Sequence, residues 1–375
     1  MKISIFKETV PGESRVAATP ESVKKLVGLG HSITIETNAG KVAGFPDSDY
    51  ETAGGQIAAS AKAAADGTDL VMKVRGPSAS EVALIPEGAS IIGLFDPFNS
   101  GDLWDPLNKR KQTSLAMEFT PRITRAQSMD ALSSQSNLSG YRAVIEGAQI
   151  YGRAMPMMMT AAGTVAPAKV FIMGAGVAGL QAIATARRLG AVVTATDVRP
   201  AAKEQVASLG AKFIAVEDEE FKAAETAGGY AKQMSAEYQA KQADLTATHI
   251  AKQDIVVTTA LIPGRPAPEL VTEDMVKSMK PGSVLVDMAV SQGGNCKLSK
   301  RDEIVDVEGV KVAGFANLPA RLPADASSLY AKNLLAFLPL ITAEDGSLNL
   351  ETDDEIVTAM LLTKGGETVN ERLTS

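Results

Sequence analysis

The 375-residue sequence predicts an α/β protein built on two doubly wound parallel sheets, and three observations carry that expectation. Short apolar runs alternate with stretches whose apolar positions fall at helical spacing, a pattern that places helices on both faces of a parallel sheet. Hydrophobic residues make up 45% of the chain, enough for two cores at this length. A glycine-rich turn, Gly174-Ala-Gly176-Val-Ala-Gly179, joins one apolar run directly to a helical pattern near the middle of the chain.

Taken in order, residues 2–6, 32–36, 70–74, 90–94 and 113–116 read as strands, with helices at 20–29 and 60–65 among them. A long helical pattern from 128 to about 152 is expected to bridge two domains, and 155–167 reads as irregular. Runs at 169–173, 192–196, 212–214, 255–258 and 283–287 then supply the strands of a second sheet. A helix at about 327–337 would return the chain to the first domain, where 353–362 reads as an edge strand. The expected domains are therefore 1–135 with 328–375, and 136–327, joined by long helices with a cleft between them.

The stretch AKVFIMGAGVAGLQAIATARRLGAVVTATDVRP is one strand–helix–strand unit with a dinucleotide-binding pattern. Gly174 permits the tight turn, Gly176 lets backbone approach a pyrophosphate, and Gly179 lets helix and strand pack closely. Phosphates would sit on the free N–H groups near Val177 and Ala178. Asp197 lies 18 residues beyond Gly179 (197 − 179), about where an acidic side chain reaches ribose hydroxyls, which favours NAD(H) over NADP(H). Arg199 points the other way, since a basic group here accommodates a 2′-phosphate.

Composition narrows the remaining chemistry. Net charge is −7 and no basic cluster is long enough for nucleic acid or an anionic membrane surface. The single Cys296 rules out an internal disulfide and a cysteine metal cluster, and fits a reducing compartment; no metal site is expected. The opening MKISIFKETVPGESR turns polar too soon for a signal peptide, and the longest apolar stretch, 334–341, is too short for a bilayer and contains Pro339. Only His31 and His249 are available as histidines.

A second constellation lies just before the long helix. Arg122, Gln127, Asp130 and Ser133 crowd donors and acceptors that suit a primary carboxamide, the group at the end of a nicotinamide. Asp130 and Ser133 equally fit a helix cap, with the arginines solvated outside it.

The stretches PRITRAQSMDALSSQSNLSGYRA, MGAGVAGLQA, AETAGGYAKQMS, TTALIPGRPAP and VDMAVSQGGN resemble the NAD(H)-binding component of proton-translocating nicotinamide nucleotide transhydrogenase. The resemblance runs from Lys2 to about Glu351. It implies two Rossmann-like domains, with dihydronicotinamide held by Arg122, Gln127, Asp130 and Ser133, and with Ile123, Thr124 and Arg125 as further cofactor-binding residues of the same segment. It further implies a mobile loop near 220–235, hinged at Gly228-Gly229, whose Tyr230 closes over the nucleotide. Val177, Asp197, Val198, Arg199, Gly229, Gln242 and Leu261 are implied as nucleotide contacts. Catalysis would rest on Arg122, Gln127, Asp130 and Tyr230 as orienting groups, in a Re/Si-specific hydride transfer from NAD(H) to NADP(H) on a partner subunit. A membrane-spanning proton-channel subunit, a homodimer and a cytoplasmic, membrane-peripheral location are implied as well.

Alanine dehydrogenases resemble the amino-terminal pattern too, including Arg15 and Lys73. That family's histidine should fall at 92–96, where none occurs, and its aspartate where this chain has Ser291. Asp96 would need burial to serve as a base, and Asp287 reads as structural. Oxidation of an amine releases a proton that a side chain must take, whereas hydride passage between two nicotinamide rings does not. A soluble amino-acid dehydrogenase and a non-catalytic NAD-binding protein are the competing readings.

Overall fold

The alternating runs form two separate sheets in the computed structural model, which describes residues 1–224, 234–262 and 264–374. The chain divides into one unit of Met1–Gln135 with Pro319–Ser375 and a second of Ser136–Leu318.

In the first unit, β1 (Lys2–Ile5), β2 (Ser32–Glu36), β3 (Gln56–Ala58), β4 (Leu70–Arg75), β5 (Ser90–Leu94) and β6 (Thr113–Ala116) run parallel, in the order β3-β2-β1-β4-β5-β6. Alternate residues of each strand feed opposite cores: Ile3, Ile5, Met72 and Ile92 pack on one face, Phe6, Val71 and Ile91 on the other. Such double burial is why these strands read as continuous apolar runs. Helix α1 (Pro20–Gly28) starts at a Thr19–Ser22 capping box and buries Val23 and Leu26. The long helix α2 (Ala131–Tyr151) gives its first residues to this unit and the rest to the second.

After α2 the 155–167 stretch is ordered, contrary to expectation: β7 (Met158–Thr160) and β8 (Gly163–Val165) make an isolated antiparallel hairpin, with Met157, Met158 and Met159 exposed. Its Ala161-Ala162 turn carries no turn signal of its own and its strands do not alternate, which hides it from pattern reading. The second unit then repeats the plan of the first. Strands β9 (Lys169–Met173), β10 (Val192–Thr196), β11 (Lys212–Phe213), β12 (Ile255–Thr258), β13 (Val284–Asp287), β14 (Ile304–Val307) and β15 (Val310–Ala313) lie in the order β11-β10-β9-β12-β13-β15-β14. All pairs are parallel except β14 with β15. That hairpin is absent from the sequence reading, although Glu308 and Gly309, at φ +54° and +87°, form the positive-φ pair that tight hairpins use. Helices α3 (Val177–Arg188) and α4 (Ala236–Ile250) belong here.

Helix α5 (Pro323–Phe337) is in the first unit and buries Tyr330, Leu334 and Phe337. The expected strand over 353–362 is instead a helix, Glu355–Met360, followed by β16 (Leu361–Lys364) and β17 (Glu367–Thr368). Asp354 accepts the Ile356 N–H at 2.8 Å and so starts a helix where apolar spacing alone suggests a strand. β16 pairs antiparallel with β6, and β17 is the edge.

Candidate functional site

Both sheets reverse strand order at one point, between β1 and β4 and between β9 and β12, which is where α/β sheets of this order place ligands. In the second unit that point is the glycine-rich turn. Gly174 has φ +107°, and a Cβ there would lie 2.3 Å from Thr259 Oγ1. At Gly179 a Cβ would lie 1.8 Å from the Gly174 carbonyl oxygen, so helix and turn touch backbone to backbone. Gly176, by contrast, has nothing within 4 Å of its Cβ position. Gly140 of α2 has its Cβ position 2.0 Å from the Ala178 oxygen, which pins the start of α3 from outside. The first intrahelical bond runs from Leu180 N–H to Gly176 O at 2.8 Å, leaving the preceding N–H groups of Val177, Ala178 and Gly179 without helical partners. Val177 is exposed, and the helix N-terminus carries partial positive charge.

Asp197 ends β10 beside this turn. Its Oδ2 accepts the Ala175 N–H at 2.7 Å, and its Oδ1 accepts the Arg199 N–H at 2.9 Å. The Arg199 guanidinium closes on the same carboxylate at 2.9 and 3.1 Å. Arg199 is thus an ion-pair partner of Asp197. Val198 and Leu261 are exposed apolar groups at the ends of β10 and β12. Gln242 is tied into the fold: Oε1 accepts Val216 N–H at 2.9 Å and Nε2 donates to Thr196 Oγ1 at 3.3 Å. Gly229 and Tyr230 lie outside the described residues.

The second constellation belongs to the first unit. After Ile123, a 3-10 turn, Thr124–Met129, buries Ala126 and Met129 at a spacing of three and turns Thr124, Arg125 and Gln127 outward. Arg122 and Gln127 are exposed, and their side chains have no hydrogen-bond partner among the described residues. Arg125 is paired with Asp354 at 2.6 and 3.1 Å. Asp130 caps α2 by accepting the Ser133 N–H at 2.9 Å, and the Ser133 hydroxyl donates to it as well. The cap and a carboxamide clamp are compatible, since each carboxylate oxygen keeps a lone pair.

Arg15 and Lys73 sit at the β1/β4 reversal of the first unit, but their charges are used internally. Lys73 Nζ is 2.7 Å from Glu81 and 3.6 Å from Glu8. Arg15 bonds Glu13 at 2.6 Å and Gln135 at 2.8 Å, and Arg75 shares Glu13 at 3.0 Å. Burial raises the Glu8 carboxyl to about 6 against the pull of Lys73. Glu13 is desolvated too, yet Arg15 and Arg75 hold it down at about 2. Asp96 is exposed and lacks the burial a base would need, with its N–H donating to Glu118 Oε1 at 2.7 Å. Asp287 is buried and accepts from Thr258, Ala289, Cys296 and Ser299, a structural role. Ser291 is exposed. Among the described residues no cluster of metal-ligating side chains occurs, and no helix is long and apolar enough to cross a membrane.

Sequence reasoning missed Thr259, Gly140 and Asn295 around the turn. Only the neighbouring glycines of SQGGN hinted at the last.

The family described as alanine dehydrogenase/PNT matches twice, its N-terminal domain over residues 4–139 and its C-terminal domain over 143–371. An NAD(P) transhydrogenase subunit alpha protein of Rhodospirillum rubrum is 55% identical over 380 residues, spanning 100% of this chain and 99% of that protein. The crystal structure of a transhydrogenase from Sinorhizobium meliloti matches with a TM-score of 0.90 at 54% identity, covering 98% of this chain and 100% of that one. Alanine dehydrogenase 2 of Staphylococcus aureus is 33% identical over 355 residues, 92% of this chain and 88% of that one.

Proposed function

Because this chain belongs to the alanine dehydrogenase/PNT family, on the side of the transhydrogenase alpha subunits, we propose that it binds NAD(H) and exchanges a hydride with NADP(H) held by a partner subunit. The observation that carries the reading is the open start of α3 beside Asp197, at the reversal of strand order in the second unit. Backbone N–H groups at Val177 and Ala178 suit a pyrophosphate, and Gly176 leaves room for it. Asp197, anchored on Ala175, suits the ribose hydroxyls, and the exposed Val198 and Leu261, with Gly229 and Gln242, would complete the nucleotide contacts.

For the reduced ring, Arg122 and Gln127 offer exposed donors and acceptors, and Asp130 with Ser133 offers a fixed carboxylate; Ile123, Thr124 and Arg125 complete the segment. Tyr230 would close over the nucleotide. These residues orient and exclude water, and no side chain has to take a proton from a reacting carbon. Proton translocation belongs to a membrane-spanning partner subunit, and the working form is a homodimer held on the cytoplasmic face of the membrane through its partners.

Mixing the purified chain with the NADP(H)-binding subunit and both nucleotides tests the reading. NADH-dependent reduction of NADP⁺ that requires both proteins is the expected result. Absence of transfer, or alanine-dependent NADH formation by this chain alone, overturns it.

A further inference from the structure

Asn295 has no exposed surface and closes the run Ser291-Gln-Gly-Gly-Asn295, which the proposed reaction does not use. Its amide is fully employed on one loop. Oδ1 accepts the Ala260 N–H at 3.1 Å, while Nδ2 donates to the Ala260 oxygen at 2.9 Å and to the Pro268 oxygen at 2.8 Å.

Ala260 stands just where the sheet stops supporting the chain. β12 pairs with β9 and β13 as far as Thr258, and Thr259 makes the last ladder-like bond, to the Met173 oxygen at 2.9 Å. Beyond it the Asn295 side chain takes both main-chain groups of Ala260, as a neighbouring strand would. Gly293 and Gly294 deliver that side chain through positive φ values of +94° and +82°, and a Cβ on Gly294 would lie 2.7 Å from Asp287 Oδ2. Cys296 N–H in turn donates to that oxygen at 3.1 Å, so the clamp is fixed to the end of β13. The loop is tied again where Leu270 and Val271 donate to the Asn295 oxygen at 2.9 and 3.0 Å.

Between these ties lie Leu261 and Ile262, both exposed, and before them Thr259, whose hydroxyl is 3.3 Å from the Gly174 oxygen of the glycine-rich turn. We infer that Asn295 is a positioning residue for the nucleotide: by clamping Ala260 and Pro268 it preforms the Leu261 wall on which the flat base of the dinucleotide rests. The inference rests on the NAD(H) reading above. Its energetic logic is preorganisation, since a loop already held loses no further ordering entropy when the nucleotide arrives.

Asn295→Asp keeps shape and the acceptor but replaces the donor with an oxygen that faces two carbonyl groups. NADH dissociation constants of the free protein should rise about tenfold, the loss of roughly one well-made hydrogen bond. Hydride exchange with the partner subunit at saturating NADH should stay within about twofold. The affinity loss should also shrink on acidification, because a protonated carboxyl regains a donor. Wild-type affinity in the variant, or a loss that does not change with pH, overturns the inference. Asn295→Ser, which keeps a shorter donor, carries the same split of affinity from rate should the aspartate variant fail to fold; equal loss of both overturns the positioning role. Failure of the wild-type chain to bind NADH overturns the NAD(H) reading and this inference together, whereas normal wild-type binding with an unaffected variant removes this inference alone.

Discussion

The first five strands of each unit follow one order and both sheets break it at an equivalent point, yet the two points are opposite in character. In the second unit the reversal is lined chiefly by backbone, a glycine-rich turn with N–H groups that lack helical partners and open space above Gly176, with Asp197 and Thr259 at its margin. In the first unit it is filled by Glu8, Lys73 and Glu81, with Glu13 holding Arg15 and Arg75 beside them. One surface has unmet hydrogen-bonding capacity and the other has satisfied its own. Fold therefore locates the places where a ligand can bind, and side-chain chemistry decides which of them is used.

The largest effect expected from breaking this contrast is at Gly179. A methyl group 1.8 Å from the Gly174 oxygen cannot be absorbed by a side-chain rotation, so Gly179→Ala should cost about 3 kcal/mol or more and abolish NADH binding. Gly176→Ala, with nothing within 4 Å, should leave stability within about 0.5 kcal/mol while still weakening NADH. Denaturation curves and an NADH titration on both variants check the pair; equal destabilisation would show that Gly176 is packed rather than open.

In the first unit the expectation reverses. Lys73→Met leaves Glu8 and Glu81 buried without their shared cation, at a cost of about 3–5 kcal/mol. NADH affinity of the folded variant should match that of the wild type. A loss of affinity without a loss of stability would mean that the network serves the ligand after all.

How much of this is legible in the sequence follows the range of the interactions. The glycine-rich turn is legible because Gly174, Gly176 and Gly179 carry their geometry in their spacing, and the central strands of both sheets are legible because burial on two faces removes polar residues from them, whereas β3, β14 and β15, nearer the sheet edges, are not. The network around Lys73 is not legible, since Glu8 and Lys73 meet only when β1 and β4 become neighbours. Asn295 is hidden for the same reason, its partners Ala260 and Pro268 lying on another loop. The helix at Glu355–Met360 reads wrongly as part of an edge strand when the capping signal that Asp354 carries is passed over.

A smaller effect on the fold, though a large one on rate, is expected at Gln127. Its exposed side chain has no partner among the described residues, so Gln127→Asn should leave stability unchanged. Shortening the reach by one methylene should lower hydride exchange by about a hundredfold while NADH affinity falls far less, because a misplacement of about 1 Å costs geometry before binding. Single-turnover transfer and an equilibrium titration separate the two, and parallel losses would contradict the ring-clamping role.

The finest contrast between the two units is in protonation, and it centres on Glu118, just past the end of β6. Its Oε1 accepts the N–H of Asp96, a residue held at φ +50°, while its Oε2 is buried with no partner among the described residues. Burial raises the carboxyl from 4.5 to about 7, against the hydrogen bonds from the backbone and the attraction of Arg75, and Tyr330 faces the same group. Between pH 4.5 and 7 the folded protein thus binds more protons at this site than the unfolded chain does, so the contribution of Glu118 to stability falls as pH rises through that window and is constant above it. Glu118→Gln keeps an acceptor for the Asp96 N–H and removes the titration. Urea denaturation at about pH 5 and about pH 8 should show the variant gaining about 2–3 kcal/mol on the wild type across that interval, with NADH affinity unchanged. Stability curves that stay parallel would remove the proton from Glu118, and the remaining acid-side sensitivity would then belong to Glu8, which burial also raises.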